Sequence, residues 1–571
     1  TTIPVYQRLG REFMPPLQEG TILYMPTTLP GISITQAEEL LQTQDRILRS
    51  FPEVEVVFGK AGRADTSTDP APLSMMETTV VLRPKHEWRA KERWYTGRVP
   101  TFLQGPLRVV WPDRISYDEL IDEMDRAMRF PGNVNAWTMP IKGRIDMLTT
   151  GVRTPVGIKI LGSDLSEIEA IGERIESAIR GIEGTRSVFA ERAAGGYFVD
   201  FVPKRPQLAR YGLTIDDLHA VIMSAVGGET VTTTIEGRER YSVNVRYPRD
   251  LRSDVDQLER LLVIARVPGG AGAAVGMPST NESSAGSMSA PASMPPSGAI
   301  LVPMKELADI ELVSGPAMIR DENGMMAGYV FVDIAGRDIG GYVDEAKKLV
   351  AREASLPTGY SLVWSGQYEN MQRVAERLKM IVPVTILLIF VLLYMNTKST
   401  FKTIVVMLAV PFSLVGAVWF LYFLDYNVSI AVWVGMIALM GLDAETGVFM
   451  MMFLDLSYDD AARKGLLRSR AELKEAIVHG AVKRIRPKMM TIMTTFLGLM
   501  PILWSTGTGA DMMKRVAAPL AGGLATSFLM ELMVYPAIYL LWKWHREVGP
   551  AVAAGTLVPP PRSDARERNS E

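Results

Sequence analysis

The chain has 571 residues, a formal net charge of -2 and no cysteine. The absence of cysteine excludes disulfides and thiolate metal sites, and the near-neutral charge provides no basic field that would favour nucleic acid as a partner. Methionine is frequent, with 33 residues, whereas the four histidines are scattered without a pair at ligand spacing.

Residues 1–19 are interpreted as the end of a preceding membrane segment or a linker. The chain begins neither with Met nor with a signal-peptide pattern, so we expect it to be a piece of a longer protein. Residues 20–152 then alternate strand and helix patterns, as in "GTILYMPTTL", "ITQAEELLQTQDRILRSF", "EVEVVFGKAG" and "SYDELIDEMDRAMRF". This order predicts a first α/β subdomain.

Residues 153–203 and 319–366 predict a second α/β subdomain that is interrupted by an insertion. "PVGIKILG" is an alternating strand pattern, and "SDLSEIEAIGERIESAIRGI" has apolar residues at helical spacing behind a Ser/Asp start. The same strand–helix–strand order recurs in "GYVFVDIAG", "GGYVDEAKKLVAREASL" and "GYSLVWSG". Two such units make a ferredoxin-like split β-α-β sandwich.

The insertion, residues 204–318, predicts a separate small domain of one helix and several strands. Within it, residues 268–298 are rich in Gly, Ser, Pro, Ala and Met. A segment of such low complexity is typical of a long loop that the fold tolerates, although its methionines could also catch a soft metal ion.

Apolar runs dominate the chain after about residue 378 and predict five membrane-spanning helices. Each run has about the 17–25 residues that a helix needs to cross the hydrocarbon, and the five are 378–395, 401–424, 428–454, 489–505 and 516–544. The connector 455–488 carries most of the Lys and Arg near the spans, which places it in the cytoplasm with the polar, Pro-rich and disordered tail 545–571. Residues 1–377 then lie on the opposite side, which in a Gram-negative cell is the periplasm.

Two carboxylates, Asp443 and Glu445, stand inside the third predicted span, and a third, Glu531, stands inside the fifth. A charged carboxylate at mid-span costs about 2.5–3.5 kcal/mol on insertion scales, so these acids are candidate proton carriers. The alternative is a structural acid bonded to a neighbouring helix. Because residues two apart point to roughly opposite faces of a helix, Asp443 and Glu445 need not share a site.

Lys488 stands at the start of the fourth predicted span, in "RIRPKMMTIM". Its ammonium could snorkel to the membrane surface, or it could reach into the helix bundle and pair with an acid. In the second case the ion pair would couple protonation to helix tilt, and the sequence leaves both readings open.

Three methionines lie outside the apolar runs at positions that could bind metal: Met75 and Met76 in "DPAPLSMMETTV", and Met147 in "GRIDMLTTG". Thioether sulphur is a soft ligand that suits Cu(I) and Ag(I) and needs no deprotonation. Spacing alone favours the alternative, that these are ordinary core methionines.

Long motifs of the chain resemble the heavy-metal branch of the resistance–nodulation–division exporters, and within it the pumps for monovalent metals. The motifs include "GKAGRADTSTDPAPLSMMETT", "RIDMLTTGVRTPVGIKI" and "HGAVKRIRPKMMTIMTTFLGLMPILWSTGTG", and the resemblance covers nearly the whole chain apart from the 268–298 insert and the tail. It implies the C-terminal half of an inner-membrane homotrimer of twelve spans, which joins a periplasmic membrane-fusion adaptor and an outer-membrane channel. The two α/β subdomains would be porter subdomains, and the insertion would be the docking domain.

The resemblance also implies roles for individual residues. Met75 and Met147 match two of the family's three metal-binding methionines; the third has no match, and Met76 or Met223 is a candidate substitute. For the proton relay, the relevant positions are Glu445, which matches the relay glutamate, Lys488, which matches the relay lysine, Thr491 close by, and Asp443, which replaces a small residue and whose role stays open.

Together these expectations describe an α+β membrane protein that is a transporter and not an enzyme. We expect a proton-driven exporter of Cu(I) or Ag(I) that needs no cofactor, binds no nucleic acid and works with the N-terminal half of the same pump. The alternatives are an exporter of divalent Zn, Co, Ni or Cd, a multidrug exporter, and a protein-translocation accessory of SecDF type. Scarce histidine argues against the divalent exporter, since those ions prefer imidazole and carboxylate.

Overall fold

The computed structural model describes residues 2–15, 17–28, 30–62, 72–93, 113–192, 195–266, 299–316, 318–554 and 556. The predicted low-complexity insert 268–298 and residues 557–571 of the predicted tail lie outside the described residues. The chain forms two compact units, one made of Thr1–Ala193 with Met318–Glu571 and the other of Ala194–Ala317.

The strands of the described residues are short and are numbered along the chain. They are β1 (Thr21–Tyr24), β2 (Thr27–Thr28), β3 (Val54–Ala61), β4 (Met76–Leu82), β5 (Asn133–Val134), β6 (Trp137–Thr138), β7 (Val156–Gly162), β8 (Thr185–Ala190), β9 (Gly196–Pro203), β10 (Glu229–Glu236), β11 (Glu239–Val245), β12 (Leu262–Arg266), β13 (Ala299–Pro303), β14 (Ala308–Gly315), β15 (Arg320–Glu322), β16 (Met325–Ile334) and β17 (Ser361–Gly366).

The helices before residue 360 have 16 residues or fewer, and every longer helix comes after it. They are α1 (Thr2–Arg8), α2 (Ile34–Arg49), α3 (Tyr117–Ala127), α4 (Pro140–Thr150), α5 (Leu165–Ile179), α6 (Arg205–Arg210), α7 (Ile215–Ile222), α8 (Val255–Glu259), α9 (Met304–Leu307), α10 (Ile339–Glu353), α11 (Gln367–Thr397), α12 (Thr400–Met407), α13 (Ala409–Phe423), α14 (Ile430–Arg463), α15 (Arg470–Trp504), α16 (Ala510–Lys543) and α17 (Gly549–Ala553).

The first sheet has the strand order β3-β4-β1-β6, and every neighbouring pair is antiparallel. Because the chain runs β1-α2-β3-β4-α3-β6, the parallel strands β1 and β3 are separated by β4, which is the split β-α-β arrangement. Local signals fix the helices: Ser116 and Glu119 form a reciprocal capping box at the start of α3. The side chains of Ile22, Tyr24, Val80 and Met124 are fully buried between the sheet and its helices.

The second sheet repeats this topology with strands from both sides of the insertion. Its order is β15-β16-β7-β17, and β8 pairs with β16, so the core order β8-β16-β7-β17 matches that of the first sheet. Strand β7 is buried at every residue. Apolar side chains of α5 and α10 cover one face of the sheet, and on the other face Leu161 of β7 packs with the aromatic rings of Phe189 in β8 and of Tyr329 and Phe331 in β16. A strand covered on both faces explains why "VGIKILG" is almost continuously apolar.

The second unit spans Ala194–Ala317 and so begins ten residues earlier than the insertion expected from the sequence at residue 204. The physical reason is that β9 pairs along its whole length with β14, from Gly196↔Gly315 to Pro203↔Ala308. Leu208, Leu218, Val263 and Met304 belong to the core of this unit, which is separate from those of the two sheets.

Four helical segments of the described residues are long and apolar enough to cross a membrane: Gln367–Thr397, Thr400–Phe423, Ile430–Arg463 and Ala510–Ala553. Two of the five predicted spans, 378–395 and 516–544, lie within them, and two more, 401–424 and 428–454, match them except for one or two residues at an end. The remaining one, 489–505, lies in the 35-residue helix α15, which does not belong to this group of four, and it stays a prediction.

The predicted connector 455–488 is mostly helical rather than a loop. Helix α14 continues to Arg463 and α15 begins at Arg470, so only residues 464–469 lie between them. Ser469 accepts a hydrogen bond from the backbone N–H of Glu472 at 3.2 Å and so starts α15 well before its apolar part.

Glycine allows two of the long helices to approach closely. A Cβ atom added to Gly522 of α16 would lie 2.6 Å from the carbonyl oxygen of Gly416 in α13 and 2.5 Å from Cβ of Phe420. Small residues at a helix crossing are typical of packed helices in membranes.

Candidate functional site

Three ionisable side chains are buried where α14, α15 and α16 pack together. Asp443 is 0% exposed, Lys488 is 1% exposed and Glu531 is 0% exposed. We call these three residues the buried triad. Since a charge in an apolar environment is costly, each needs either a partner or a proton.

Lys488 and Glu531 form the ion pair of the triad. The Lys488 ammonium donates a hydrogen bond to Oε2 of Glu531. The hydroxyl of Thr446 donates to the other oxygen, Oε1, at 2.7 Å, and that of Ser527 reaches it at 3.4 Å. Both oxygens of Glu531 therefore have donors, and the pair is neutral overall.

Asp443 has no such partner. Neither of its carboxylate oxygens makes a hydrogen bond to any described residue, although the side chain lies close to Ser413, Ser527 and the ion pair. The Ser413 hydroxyl donates instead to the carbonyl of Val410 at 2.9 Å. An acid that is fully buried and unpartnered next to a neutral ion pair is suited to hold a proton.

Glu445 and Thr491, the other two predicted relay residues, are not brought into the triad. Glu445 lies two residues after Asp443 and its side chain is on the exposed face of α14, as expected for residues two apart on a helix. Thr491 lies one turn after Lys488, and its hydroxyl donates to the Lys488 carbonyl at 2.9 Å within α15. The acid that meets Lys488 is Glu531, which carries the same sequence signal as Asp443, a carboxylate within an apolar run.

The predicted metal-binding methionines occupy different environments. Met76 is the first residue of β4 and is fully buried in the first sheet, whereas the preceding Met75 is half-buried. Successive strand side chains point to opposite faces, so these two methionines do not share a site by orientation. Met147 is half-buried in the last turn of α4. Met223 is 70% exposed and belongs to the second unit.

The segments of Met75 and Met147 are connected through Thr27. The backbone of Thr27 forms a β-bridge with Met75. Its hydroxyl accepts a hydrogen bond from the guanidinium of Arg153, six residues after Met147. Two half-buried thioethers therefore come from chain segments that are held together by one residue.

Arg153 is a buried cation that the sequence did not single out. Its guanidinium lies 4.1 Å from the ring centroid of Phe331 and its side chain is 9% exposed. Burial lowers the pKa of Arg153 to about 10, and Glu191 opposes this shift, so the side chain remains charged at neutral pH. An arginine in a turn before a strand is usually solvated, so no pattern in the sequence marks it.

Helix α4, which carries Met147, is fixed at both ends. The carboxylate of Glu19 accepts hydrogen bonds from the backbone N–H groups of Ile141 at 2.9 Å and Lys142 at 3.1 Å, at the positive end of the helix dipole. Near the other end, the side-chain amide of Gln367 donates to Asp146 at 3.2 Å. Gln367 is the first residue of the membrane-length helix α11, so the methionine-bearing helix contacts a long apolar helix directly.

Comparison with known proteins agrees with this architecture. The chain matches the model of the AcrB/AcrD/AcrF family over residues 1–99 and 111–543. A crystal structure of a heavy metal efflux pump superposes with a TM-score of 0.75 at 26% identity, covering 95% of this chain and 48% of that one.

Individual relatives are cation efflux and metal resistance proteins by name. SilA of Salmonella typhimurium is 39% identical over 552 residues, covering 95% of this chain and 47% of SilA. CusA of Escherichia coli strain K12 is 38% identical over 547 residues, covering 94% of this chain and 46% of CusA. The cobalt-zinc-cadmium resistance protein CzcA of Cupriavidus metallidurans is 29% identical over 541 residues, covering 94% of this chain and 46% of CzcA.

The chain thus spans about half the length of the curated relatives it matches. The family match covers nearly all of residues 1–543, including both sheets and the long helices that hold the buried triad. The chain belongs to the AcrB/AcrD/AcrF family of resistance–nodulation–division transporters.

Proposed function

We propose that the chain is the C-terminal half of a proton-driven efflux pump for Cu(I) and Ag(I). The observation that carries the proposal is the buried triad, in which a neutral Lys488–Glu531 pair lies close to the unpartnered Asp443. The pump catalyses no covalent chemistry, and metal ion and proton are both cargo.

In the proposed relay, Asp443 takes up a proton and releases it. While Asp443 is protonated, the triad carries no net charge, because Lys488 and Glu531 neutralise each other. When the proton leaves, the ammonium has two competing carboxylates, and this competition favours a shift of α15 relative to α14 and α16. Glu445 keeps its role from the family resemblance, as an acid that would face residues of the N-terminal half.

In the proposed metal site, Met75 and Met147 offer neutral thioethers to a soft monovalent ion. Thr27 and Arg153 hold their segments together. Met76 and Met223 are weaker candidates, because Met76 is buried in the sheet core and Met223 is exposed in the second unit.

The hydrogen bond between Asp146 and Gln367 connects the methionine-bearing helix α4 to the membrane-length helix α11. A movement of α11 together with the other membrane helices would therefore displace α4 and Met147. Alternating access by relative motion of two halves is typical of transporters built from repeats.

Membership of the family supports a proposal for the assembly. We propose that the complete pump is an inner-membrane homotrimer with periplasmic porter and docking domains. It would join a periplasmic membrane-fusion adaptor and an outer-membrane channel. The greater identity to SilA and CusA, 39% and 38%, than to CzcA, 29%, favours the monovalent metals over divalent ones.

The test uses the complete gene in a metal-sensitised host, with tolerance to silver, copper and zinc measured side by side. We expect silver and copper tolerance to rise and Met147→Leu to abolish the gain, since leucine keeps the volume and removes the sulphur. Met326→Leu is the matched control, because Met326 is half-buried in the second sheet outside the proposed site, and it should have no effect. A pump that raises only zinc tolerance, or that keeps silver tolerance after Met147→Leu, would contradict the proposal.

A further inference from the structure

A cavity of about 620 Å³ lies between the first sheet and the turn that joins α15 to α16. Its described lining includes Arg83, Lys85 and His86, which follow the end of β4, together with Glu55, Tyr117 and Thr508. None of these residues belongs to the buried triad or to the methionine segments, so the proposed transport function does not account for the cavity.

The cavity lies beside the turn at which α15 ends and α16 begins. Residues Thr506 and Thr508 line it, and they stand between Trp504, the last residue of α15, and Ala510, the first of α16. Trp504 is 69% exposed, and exposed tryptophan at a helix end is typical of the headgroup level of a bilayer.

The lining of the cavity carries both positively and negatively charged side chains. Arg83 and Lys85 are exposed cations, and the Lys85 ammonium donates to the neutral amide oxygen of Gln18 rather than to a carboxylate. His86 lies 3.6 Å from Glu87, and Arg83 lies 3.8 Å from the same residue. Glu55, on β3, adds a carboxylate to the lining of the cavity.

Tyr117 provides a second, independent observation at this cavity. It lines the cavity, it is 9% exposed, and its hydroxyl has no hydrogen-bond partner among the described residues. Burial raises the pKa of Tyr117 well above its ordinary value, so the hydroxyl keeps its proton and remains a donor. A buried donor without an acceptor is unfavourable unless a ligand provides the acceptor.

We propose that this cavity binds the headgroup of a zwitterionic aminophospholipid, with its phosphate beside Arg83, Lys85 and Tyr117 and its primary ammonium beside Glu55. Phosphate oxygens accept hydrogen bonds from guanidinium, ammonium and hydroxyl donors. A carboxylate in the same cavity disfavours a purely anionic headgroup and favours one that also carries a cation. The neighbouring long helices give the acyl chains an apolar surface.

The experiment measures lipid binding to the complete pump in detergent by native mass spectrometry. The probes are phosphatidylethanolamine, phosphatidylglycerol and phosphatidylcholine of equal chain length, and inorganic phosphate as a competitor. We expect phosphatidylethanolamine to bind more tightly than the other two lipids, and inorganic phosphate to compete only weakly.

Three variants assign the contacts. The double variant Arg83→Gln with Lys85→Gln should weaken phosphatidylethanolamine binding by more than roughly tenfold, and Tyr117→Phe by roughly fivefold. Glu55→Gln should remove the preference for phosphatidylethanolamine over phosphatidylglycerol. The matched control, Arg46→Gln with Arg126→Gln, removes two exposed arginines from helices of the same subdomain and should change nothing.

Three results would overturn the proposal. The first is equal binding of all three lipids that the double variant leaves unchanged. The second is full displacement by inorganic phosphate, which would make the cavity a site for free phosphate. Because the Tyr117→Phe variant removes an unpartnered hydroxyl, unchanged lipid binding in a variant of equal or higher thermal stability would also count against it.

Discussion

Buried charge is compensated differently in two lysine–glutamate pairs, of which one lies in the second sheet and the other among the long helices. In the sheet, the Lys159 ammonium donates to both oxygens of Glu322, at 2.8 and 3.1 Å, and the Tyr329 hydroxyl donates to the same carboxylate. Every charge there has a partner, and Glu322 keeps 27% of its side chain exposed to water.

Among the long helices, the Lys488–Glu531 pair is likewise complete, but a third ionisable group lies close to it. Asp443 is fully buried and has no hydrogen-bond partner among the described residues. A completed pair can be purely structural, whereas an extra acid with no partner stabilises nothing in its charged form. The comparison therefore separates a structural pair from one that can respond to a proton.

The largest effect is expected from Lys488→Met in the complete pump. It leaves Glu531 as an uncompensated buried charge, which we expect to destabilise the protein by about 3–5 kcal/mol and to abolish proton flux. Thermal unfolding and flux in proteoliposomes measure the two effects. Lys464→Met, which breaks an exposed pair with Asp460, is the control and should leave the unfolding temperature nearly unchanged. A stable, active Lys488→Met pump would show that the ion pair has no role.

Asp443→Asn separates the role of the acid from that of the ion pair, because it removes the titratable group and leaves the pair intact. We expect coupled proton flux to fall by more than about tenfold, a change of about 1.4 kcal/mol in the barrier, while the unfolding temperature stays the same or rises. Glu445→Gln is measured in parallel. Unchanged flux in Asp443→Asn, with lost flux in Glu445→Gln, would reject Asp443 and assign the relay to Glu445.

Lys159→Met tests the other member of the comparison. Glu322 would keep only the Tyr329 hydroxyl and water, so we expect a loss of about 1–3 kcal/mol in stability with proton flux per folded pump unchanged. Chemical denaturation monitored by the aromatic signal of the sheet would report the loss. A specific defect in flux at full stability would mean that the sheet pair also takes part in transport.

Asp333 in the second sheet is expected to have a smaller effect, which makes the free energy of unfolding depend on pH. Burial raises the pKa of Asp333 to about 6, against the lowering effect of Arg186, whose guanidinium lies 3.5 Å away. Between about pH 4 and pH 6 the folded protein then keeps a proton that the unfolded chain has lost. Stability falls as pH rises through this window, by at most about 1.4 kcal/mol per pH unit, and is constant above it.

Asp333→Asn should remove this slope. Hydrogen exchange of β16 at pH 4.5 and 6.5 would compare the variant with the wild type, after correction for the intrinsic exchange rate. Identical slopes in the two proteins would show that Asp333 is ionised in the folded state throughout this range.

Several features were predictable from the sequence because they depend on local composition or on order along the chain. The alternation of strand and helix patterns on both sides of residues 204–318 predicted two split β-α-β sheets, and the strand orders match that topology. Four of the five predicted spans lie in helices that are apolar and long enough to cross a membrane. An acid in an apolar run was sufficient to mark Asp443 and Glu531 as unusual.

Which acid meets Lys488 was decided only by the tertiary structure. Helix α14 is apolar on nearly every side, so its sequence does not indicate which face packs against α15 and α16, and Asp443 and Glu445 looked alike. Packing buries one face and leaves the other exposed, and this choice separates two carboxylates only two residues apart. The connection of Met75 to Met147 through Thr27 and Arg153, and the orphan hydroxyl of Tyr117, likewise depend on side chains that meet across distant segments. Contacts of that kind are fixed by the three-dimensional packing and leave no periodic signal in the sequence.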